Sequence, residues 1–156
     1  MVELLAPAGN FTSLASALKN GADAVYIGLE ESNMRINASN FSVDDIKKAS
    51  GMCKEYGAKL YVCANTIMKD SDIERLKEQL PLIAENGADG IILSDIALID
   101  FVLENNLEAH MSVQENTTNS YALMTLEKLG VKRAILSREL SLNDIEAIIS
   151  NLRKSD

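Results

Sequence analysis

The chain has 156 residues, of which 47% are hydrophobic and 24% charged, and its formal net charge is −8. This composition is typical of a folded globular protein, and the negative charge argues against broad binding to nucleic-acid backbones, which needs clustered Lys and Arg. No apolar run approaches the ~20 residues of a membrane span, and the N-terminus lacks the basic region of a signal peptide. We therefore expect a cytoplasmic protein without a membrane partner.

Six short apolar strands alternate with six amphipathic helices along the chain. Asn10 is a candidate N-cap of the first helix, and Pro7 is expected to end the first strand. The strands are predicted at Glu3–Ala6, Ala24–Gly28, Lys59–Ala64, Gly90–Leu93, Glu108–Val113 and Lys132–Leu136. The helices are predicted at Phe11–Lys19, Ser42–Gly57, Ser71–Asn86 with a kink or break at Pro81, Ile96–Asn105, Ser120–Leu129 and Ser141–Arg153. A long polar loop, Leu29–Phe41, follows the second strand.

One short sequence pattern recurs four times. It reads NGADAVYIG at 20–28, YGAKLYVC at 56–63, NGADGIILS at 86–94 and LGVKRAILS at 129–137. Each copy combines a helix end, a glycine that can adopt a left-handed conformation, and a short apolar strand. Repetition of this unit predicts buried parallel strands that alternate with helices.

The number of units leaves two architectures to consider. A closed (β/α) barrel has eight units and typically needs about 250 residues, whereas an open doubly wound sheet can stop at five or six strands. The similarity of the units and the lack of a GxGxxG turn after the first strand favour an α/β, TIM-like (β/α) barrel that is incomplete, with about six βα units. We expect a single domain over 1–156, a truncated N-terminal part of such a barrel. Its open strand edges would favour self-association or closure by a second chain.

Ligand sites of such barrels lie at the carboxyl ends of the strands. Arg35 and Arg138 could clamp a carboxylate or phosphate, although an ordinary surface ion pair is the alternative for each. Polar residues at these ends are therefore binding candidates: Asn10, Arg35, Asn65, Gln114, Arg138 and Glu139. Glu3 begins the first strand and is expected at the bottom of the barrel, where residues usually serve stability.

The fifth strand alternates between apolar and polar residues. The apolar set, expected to face the helices, is Ala109, Met111 and Val113. The polar set, expected to face the barrel interior, is His110, Ser112 and Gln114. This stripe fits either a hydrogen-bonded polar layer of the core or a ligand site.

Other chemistry has little support in the residues. A Ser/His/Asp triad could be drawn from Ser112 or Ser137 with His110 and Asp95, but no nucleophile elbow such as GxSxG is present. Cys53 and Cys63 are not spaced as a CxxC pair, and the chain has one His, so we expect two buried thiols and no metal site within this chain.

Five segments together resemble the N-terminal half of the collagenase-like peptidases, family U32. They are ELLAPAGN at 3–10, GADAVYIG at 21–28, NMR at 33–35, NFS at 40–42 and SRELS at 137–141. The resemblance implies a TIM-like barrel within a longer protein. It also implies one of two activities. Some members are described as collagenases or proteases. Others are similar to proteins that hydroxylate RNA or ubiquinone without oxygen, bind an iron–sulfur cluster through four cysteines and, in the RNA-modifying cases, use prephenate.

Three functional hypotheses follow. The first is a U32 peptidase whose strand-end pocket binds a small anionic or peptide-like ligand, and the resemblance places this pocket at the six binding candidates. The second is a hydroxylation protein whose cluster cysteines lie beyond this chain, so that this chain itself binds no cofactor and nucleic acid binds only through the longer protein. The third is a non-catalytic assembly module that needs a partner to close its barrel.

Overall fold

The computed structural model describes residues 2–29 and 40–154, which form a curled, half-open β/α barrel. Six parallel strands lie in the order β1 to β6, and every consecutive pair is hydrogen-bonded. The strands are β1 Leu5–Ala8, β2 Ala24–Gly28, β3 Lys59–Ala64, β4 Gly90–Leu93, β5 Glu108–Met111 and β6 Arg133–Ala134. The helices are α1 Phe11–Lys19, α2 Asp45–Glu55, α3 Asp70–Glu85, α4 Ile99–Glu104, α5 Ser120–Lys128 and α6 Leu142–Leu152. The prediction of an incomplete TIM-like barrel with six units is confirmed.

The recurring pattern joins each helix to the next strand in the same way. The glycine at the helix end of each copy adopts positive φ, between +68° and +88°: Gly21, Gly57, Gly87 and Gly130. The aspartates of the two Gly-Ala-Asp copies then bind the neighbouring strand: Asp23 Oδ2 accepts from the Leu4 N–H at 2.7 Å, and Asp89 Oδ2 from the Leu60 N–H at 2.7 Å. These residues therefore serve the register of the sheet rather than chemistry.

Alternation along the strands separates two apolar layers. The outward side chains pack under the helices and form the main core, which includes Ala109 and Met111 of β5 as predicted. The inward side chains form a smaller cluster on the concave face of the sheet. Its members are Leu5, Ala24, Tyr26, Tyr61, Cys63, Ile92 and Ile135.

Pro7 does not end the first strand, contrary to the prediction, because β1 runs through it to Ala8. The Leu4 carbonyl, just before β1, accepts from the Ala24 N–H at 3.2 Å, so alternate residues from Leu4 onward, Ala6 and Ala8, bond to β2. The nitrogen of Pro7 therefore faces the other edge, where the missing N–H costs no ladder bond. Pro81 likewise lies within an unbroken α3.

Two predicted elements are shorter than expected because side chains cap the backbone early. Ser112 caps a 3₁₀ turn, Val113–Glu115, so β5 ends at Met111. Val113 then lines the concave face instead of facing the helices. Asp95 caps another 3₁₀ turn, Ile96–Leu98, so α4 begins only at Ile99.

The curl of the sheet brings its two outer strands together at the amino-terminal end. Glu3, just before β1, pairs with Arg133 of β6, with Oε1 and Nη1 2.7 Å apart. Nevertheless, β1 pairs with β2 alone and β6 with β5 alone within the described residues. The same residues include no helix long and apolar enough to cross a membrane.

Candidate functional site

A cavity of about 450 Å³ lies on the concave face near the carboxyl ends of the strands, and we call it the central cavity. All six strands or the residues directly after them contribute to its wall. The lining residues are Leu5, Pro7, Ala8, Gly9, Tyr26, Gly28, Asn40, Cys63, Asn65, Ile92, Ser112, Val113 and Ile135. A concave, mostly apolar pocket with a few polar groups is the usual form of a small-ligand site.

Asn65 and Ser112 form the polar corner of this cavity. Asn65 directly follows β3 and Ser112 directly follows β5, so the parallel sheet brings them to the same end. The Asn65 Nδ2 donates to Ser112 Oγ at 3.4 Å, and Ser112 is only 2% exposed. The Asn65 Oδ1 is buried without a hydrogen-bond partner among the described residues. A buried acceptor of this kind is expected to receive a donor from a ligand or water.

The described part of the central cavity wall carries no charge. Of the described residues in its wall, none is Asp, Glu, Lys, Arg or His. Its polar groups are amides and hydroxyls, those of Tyr26, Asn40, Asn65 and Ser112. Such a wall can pack against apolar groups and exchange neutral hydrogen bonds, but it cannot offset the desolvation of a charge.

The charged groups of the concave face lie at the opposite, amino-terminal end. His110 is fully buried, its ring centroid is 4.4 Å from that of Tyr61, and its Nε2 lies 3.0 Å from Glu108 Oε2. Lys59 Nζ donates to the other oxygen of Glu108 at 2.8 Å. Together with the pair of Glu3 and Arg133, these residues form the bottom layer of the barrel, and the expectation that Glu3 lies there is confirmed.

Burial and pairing shift the pKa values of this bottom layer. Burial lowers the pKa of His110 below its usual 6.5, although the bond to Glu108 works against this. Burial would raise the pKa of Glu108, but the hydrogen bonds from Lys59 and His110 outweigh it and leave that pKa below its usual range. The neutral His110 therefore donates from Nε2, and its Nδ1 is a buried acceptor without a partner among the described groups.

The predicted site residues lie in different places. Asn65 is in the central cavity, whereas Gln114 is exposed and lies in a neighbouring groove. Asn10 is exposed and caps α1, accepting from the Ser13 N–H at 2.8 Å. Arg138 and Glu139 are exposed in the turn before α6, and Arg35 lies outside the described residues. As ligand-binding residues, all six stay predictions.

Glu139 interacts with its own turn. Its carboxylate accepts a hydrogen bond from the hydroxyl of Ser137, and this bond is the main reason that the pKa of Glu139 lies below its usual range. The candidate triad is also not assembled in the described part of the chain. His110 is bonded to Glu108, Ser112 to Asn65, and Asp95 to the Ala97 N–H.

Sequence reasoning missed the apolar half of the cavity wall. The sequence places Tyr26 and Cys63 in strands but does not predict which face of the sheet they lie on. In the structure both lie on the concave face. The register of β2 against β3 would have located them. It pairs Tyr26 with Tyr61 and Gly28 with Cys63, and paired residues lie on the same face of a sheet.

The cysteines do not fit a metal or iron–sulfur site. Cys53 lies in α2 under the helix layer and Cys63 lies on the concave face, both buried. Burial raises the pKa of Cys53 to about 11, which disfavours the thiolate that binds metals. Across residues 2–29 and 40–154, no group of three or more His, Cys, Asp or Glu side chains could hold a metal ion.

Two proteins similar to this chain carry names of different activities. The chain is 42% identical over 154 residues to the uncharacterized protease MJ0090 of Methanocaldococcus jannaschii, a match that covers 99% of this chain and 38% of that protein. It is 37% identical over 145 residues to tRNA hydroxylation protein P1 of Bacillus subtilis, which covers 92% of this chain and 34% of that protein. The chain thus spans a little over a third of the length of these relatives.

The fold has a similar known counterpart. The structure of the U32 peptidase Mk0906 superposes with a TM-score of 0.78 over 99% of this chain and 65% of that one, at 14% sequence identity. Residues 9–155, nearly the whole chain, match the family described as peptidase family U32. The chain therefore belongs to peptidase family U32.

Proposed function

We propose that this chain is the substrate-binding half of a U32 barrel enzyme, and that its central cavity holds a neutral, peptide-like group. The observation that carries the proposal is the buried Oδ1 of Asn65, which has no described partner and lies beside the Ser112 hydroxyl. A peptide group can bond to both of these side chains, because its N–H can donate to Asn65 Oδ1 and its carbonyl can accept from the Ser112 hydroxyl.

The lack of charged residues in the described wall favours a peptide-like ligand over the anionic ligand that the sequence also suggests. A buried carboxylate or phosphate needs a cation beside it, and the described wall has none. Arg138, one half of the expected clamp, is exposed in the turn before α6. Apolar side chains of the ligand would pack against Ile92 and Ile135. The protease name of the relative from M. jannaschii supports the same substrate class.

The proposal assigns binding and orientation to this chain, and no nucleophile. The hydroxyl of the polar corner, that of Ser112, accepts from the Asn65 amide and caps the following turn, while His110 is bonded to Glu108. Groups that cleave or modify the ligand are therefore sought in a protein of the relatives' full length.

Binding of a capped amino acid tests the proposal. N-acetyl-leucine methylamide carries two peptide groups and one apolar side chain, and its affinity can be followed by ¹H–¹⁵N NMR titration of the chain. We expect Asn65→Ala and Ser112→Ala to weaken binding roughly five- to tenfold each, the loss of about one hydrogen bond. Asn105→Ala is the matched control, because Asn105 also makes a single side-chain bond, to the Phe101 carbonyl at 2.8 Å. Equal affinity in all four proteins would reject the site.

RNA modification is the second candidate function. It is favoured by the relative from B. subtilis, which is named a tRNA hydroxylation protein and is 37% identical to this chain. The residues described here do not fit an iron–sulfur cluster, so in this proposal the cluster ligands belong to the remainder of a longer protein.

Two measurements test this second candidate on a protein of full length purified without oxygen. Iron and sulfide in near-stoichiometric amounts, together with binding of labelled tRNA, would support it. A colourless, metal-free protein that binds the capped amino acid but not tRNA would reject it.

A further inference from the structure

A second cavity adjoins the central one on the carboxyl-terminal side of β3 and β4. This outer groove, of about 420 Å³, is lined by residues 65–68, Ser94, Asp95 and Gln114. Asn65 belongs to the walls of both cavities. The two cavities are thus neighbouring compartments that meet at one side chain.

The loops around the outer groove expose apolar side chains. Ile67 is 91% exposed and lies in its wall, and Ile96, directly after Asp95, is 57% exposed. The two loops are held together, since the Ser94 hydroxyl donates to the Thr66 carbonyl at 3.2 Å. One exposed aliphatic residue needs no explanation, but two on joined loops beside a binding cavity indicate a contact surface.

We propose that the outer groove is a second subsite, which binds an apolar side chain of an extended polypeptide leaving the central cavity past Asn65. The proposal rests on the proposed peptide-like ligand of the central cavity. In an extended peptide, successive residues advance about 3.3 Å and their side chains alternate in direction. A residue held at Asn65 therefore places one of its near neighbours over Ile67.

The charge of the groove favours a polypeptide over RNA. Its described wall contains Asp95 and no Lys or Arg, and the two exposed charges that directly follow wall residues, Lys69 and Glu115, are of opposite sign. An RNA backbone would meet Asp95 in the described wall and none of the clustered cations that phosphates require. The amide of Gln114, in the same wall, instead offers neutral hydrogen bonds to a peptide backbone.

Two probes of different length test the subsite. N-acetyl-leucine methylamide is long enough for the central cavity alone. A capped hexapeptide in which leucine and serine alternate, the serines keeping it soluble, is long enough to reach the outer groove as well. We expect Ile67→Ser to weaken binding of the hexapeptide roughly five- to tenfold, the value of partly burying one aliphatic side chain, and to leave the short probe unchanged. Leu142→Ser, which changes a residue 80% exposed at the start of α6, is the control and should affect neither probe.

The remaining outcomes separate the two proposals. If the short probe binds and the hexapeptide binds no tighter, or Ile67→Ser weakens neither, the subsite is rejected while the central site stands. If neither probe binds the unchanged chain, the proposed function fails and the subsite with it. If an oligoribonucleotide displaces the hexapeptide and itself loses affinity in Ile67→Ser, the groove is an RNA site and the inference is overturned.

Discussion

Replacing Gly90 by Ala should destabilise the chain, because β4 and β5 approach too closely there for a side chain. A Cβ at this position would lie 2.5 Å from the carbonyl oxygen of Glu108 and 2.8 Å from its Cβ. The first of these atoms is backbone, so it cannot turn away. Overpacking of this kind costs about 1–3 kcal/mol, and the reduced freedom of the unfolded chain offsets about 0.4–1 kcal/mol. We expect a net loss of about 1–2 kcal/mol in the free energy of unfolding.

Gly51→Ala is the matched control for this change. Gly51 lies within α2, and apart from its own helical backbone and chain neighbours no atom lies within 4 Å of the position its Cβ would take, so the substitution should stabilise the chain by about 0.5–1 kcal/mol. Urea unfolding of both variants and the unchanged chain, followed by circular dichroism, gives the three free energies. The reasoning is refuted if Gly90→Ala is as stable as the unchanged chain while Gly51→Ala behaves as expected.

Three further predictions concern single residues. His110 is the only histidine, so its ring proton NMR signal reports its pKa directly, and we expect a midpoint below 6.5 because the ring is buried. The unfolded chain then binds more protons than the folded one between that midpoint and 6.5, so stability should fall as pH drops through this window; a midpoint at or above 6.5 would contradict this. Asn10→Ala should cost about 1 kcal/mol of stability because α1 loses its cap, whereas Asn10→Ser should cost much less, as denaturant unfolding will show. We also expect the chain to self-associate through its outer strands and the partly exposed apolar face of α6, so that Ile149→Glu lowers the mass found by sedimentation equilibrium; a monomer at all concentrations would exclude this.

The fold was predictable from the sequence because its signals are local and repeated. Each copy of the pattern carries its own turn glycine and its own apolar strand, and the structure places these where the pattern predicts them. The turn between α4 and β5 shows the limit, because Asn106 rather than glycine takes the positive φ of 58° there. Asparagine is tolerated in this conformation, so the turn before the fifth strand has the same backbone shape without the sequence pattern of the other copies.

The site was less predictable because it depends on register and on caps. The position of Ser112 on the concave face followed from alternation, but its hydroxyl also ends β5 and turns Gln114 away from the strand direction. The partner of Asn65 is 47 residues away, so no local pattern could pair the two side chains. The pairing of Glu3 with Arg133 likewise required the curl of the whole sheet.

Isotope-filtered NMR of the chain with N-acetyl-leucine methylamide tests the central claim most directly. The proposed binding in the central cavity predicts nuclear Overhauser effects from the methyl groups of the ligand to Tyr26, Ile92 and Ile135, which line that cavity. Bound ligand whose effects appear instead at Leu123 and Val131, in the groove beside β6, would contradict it.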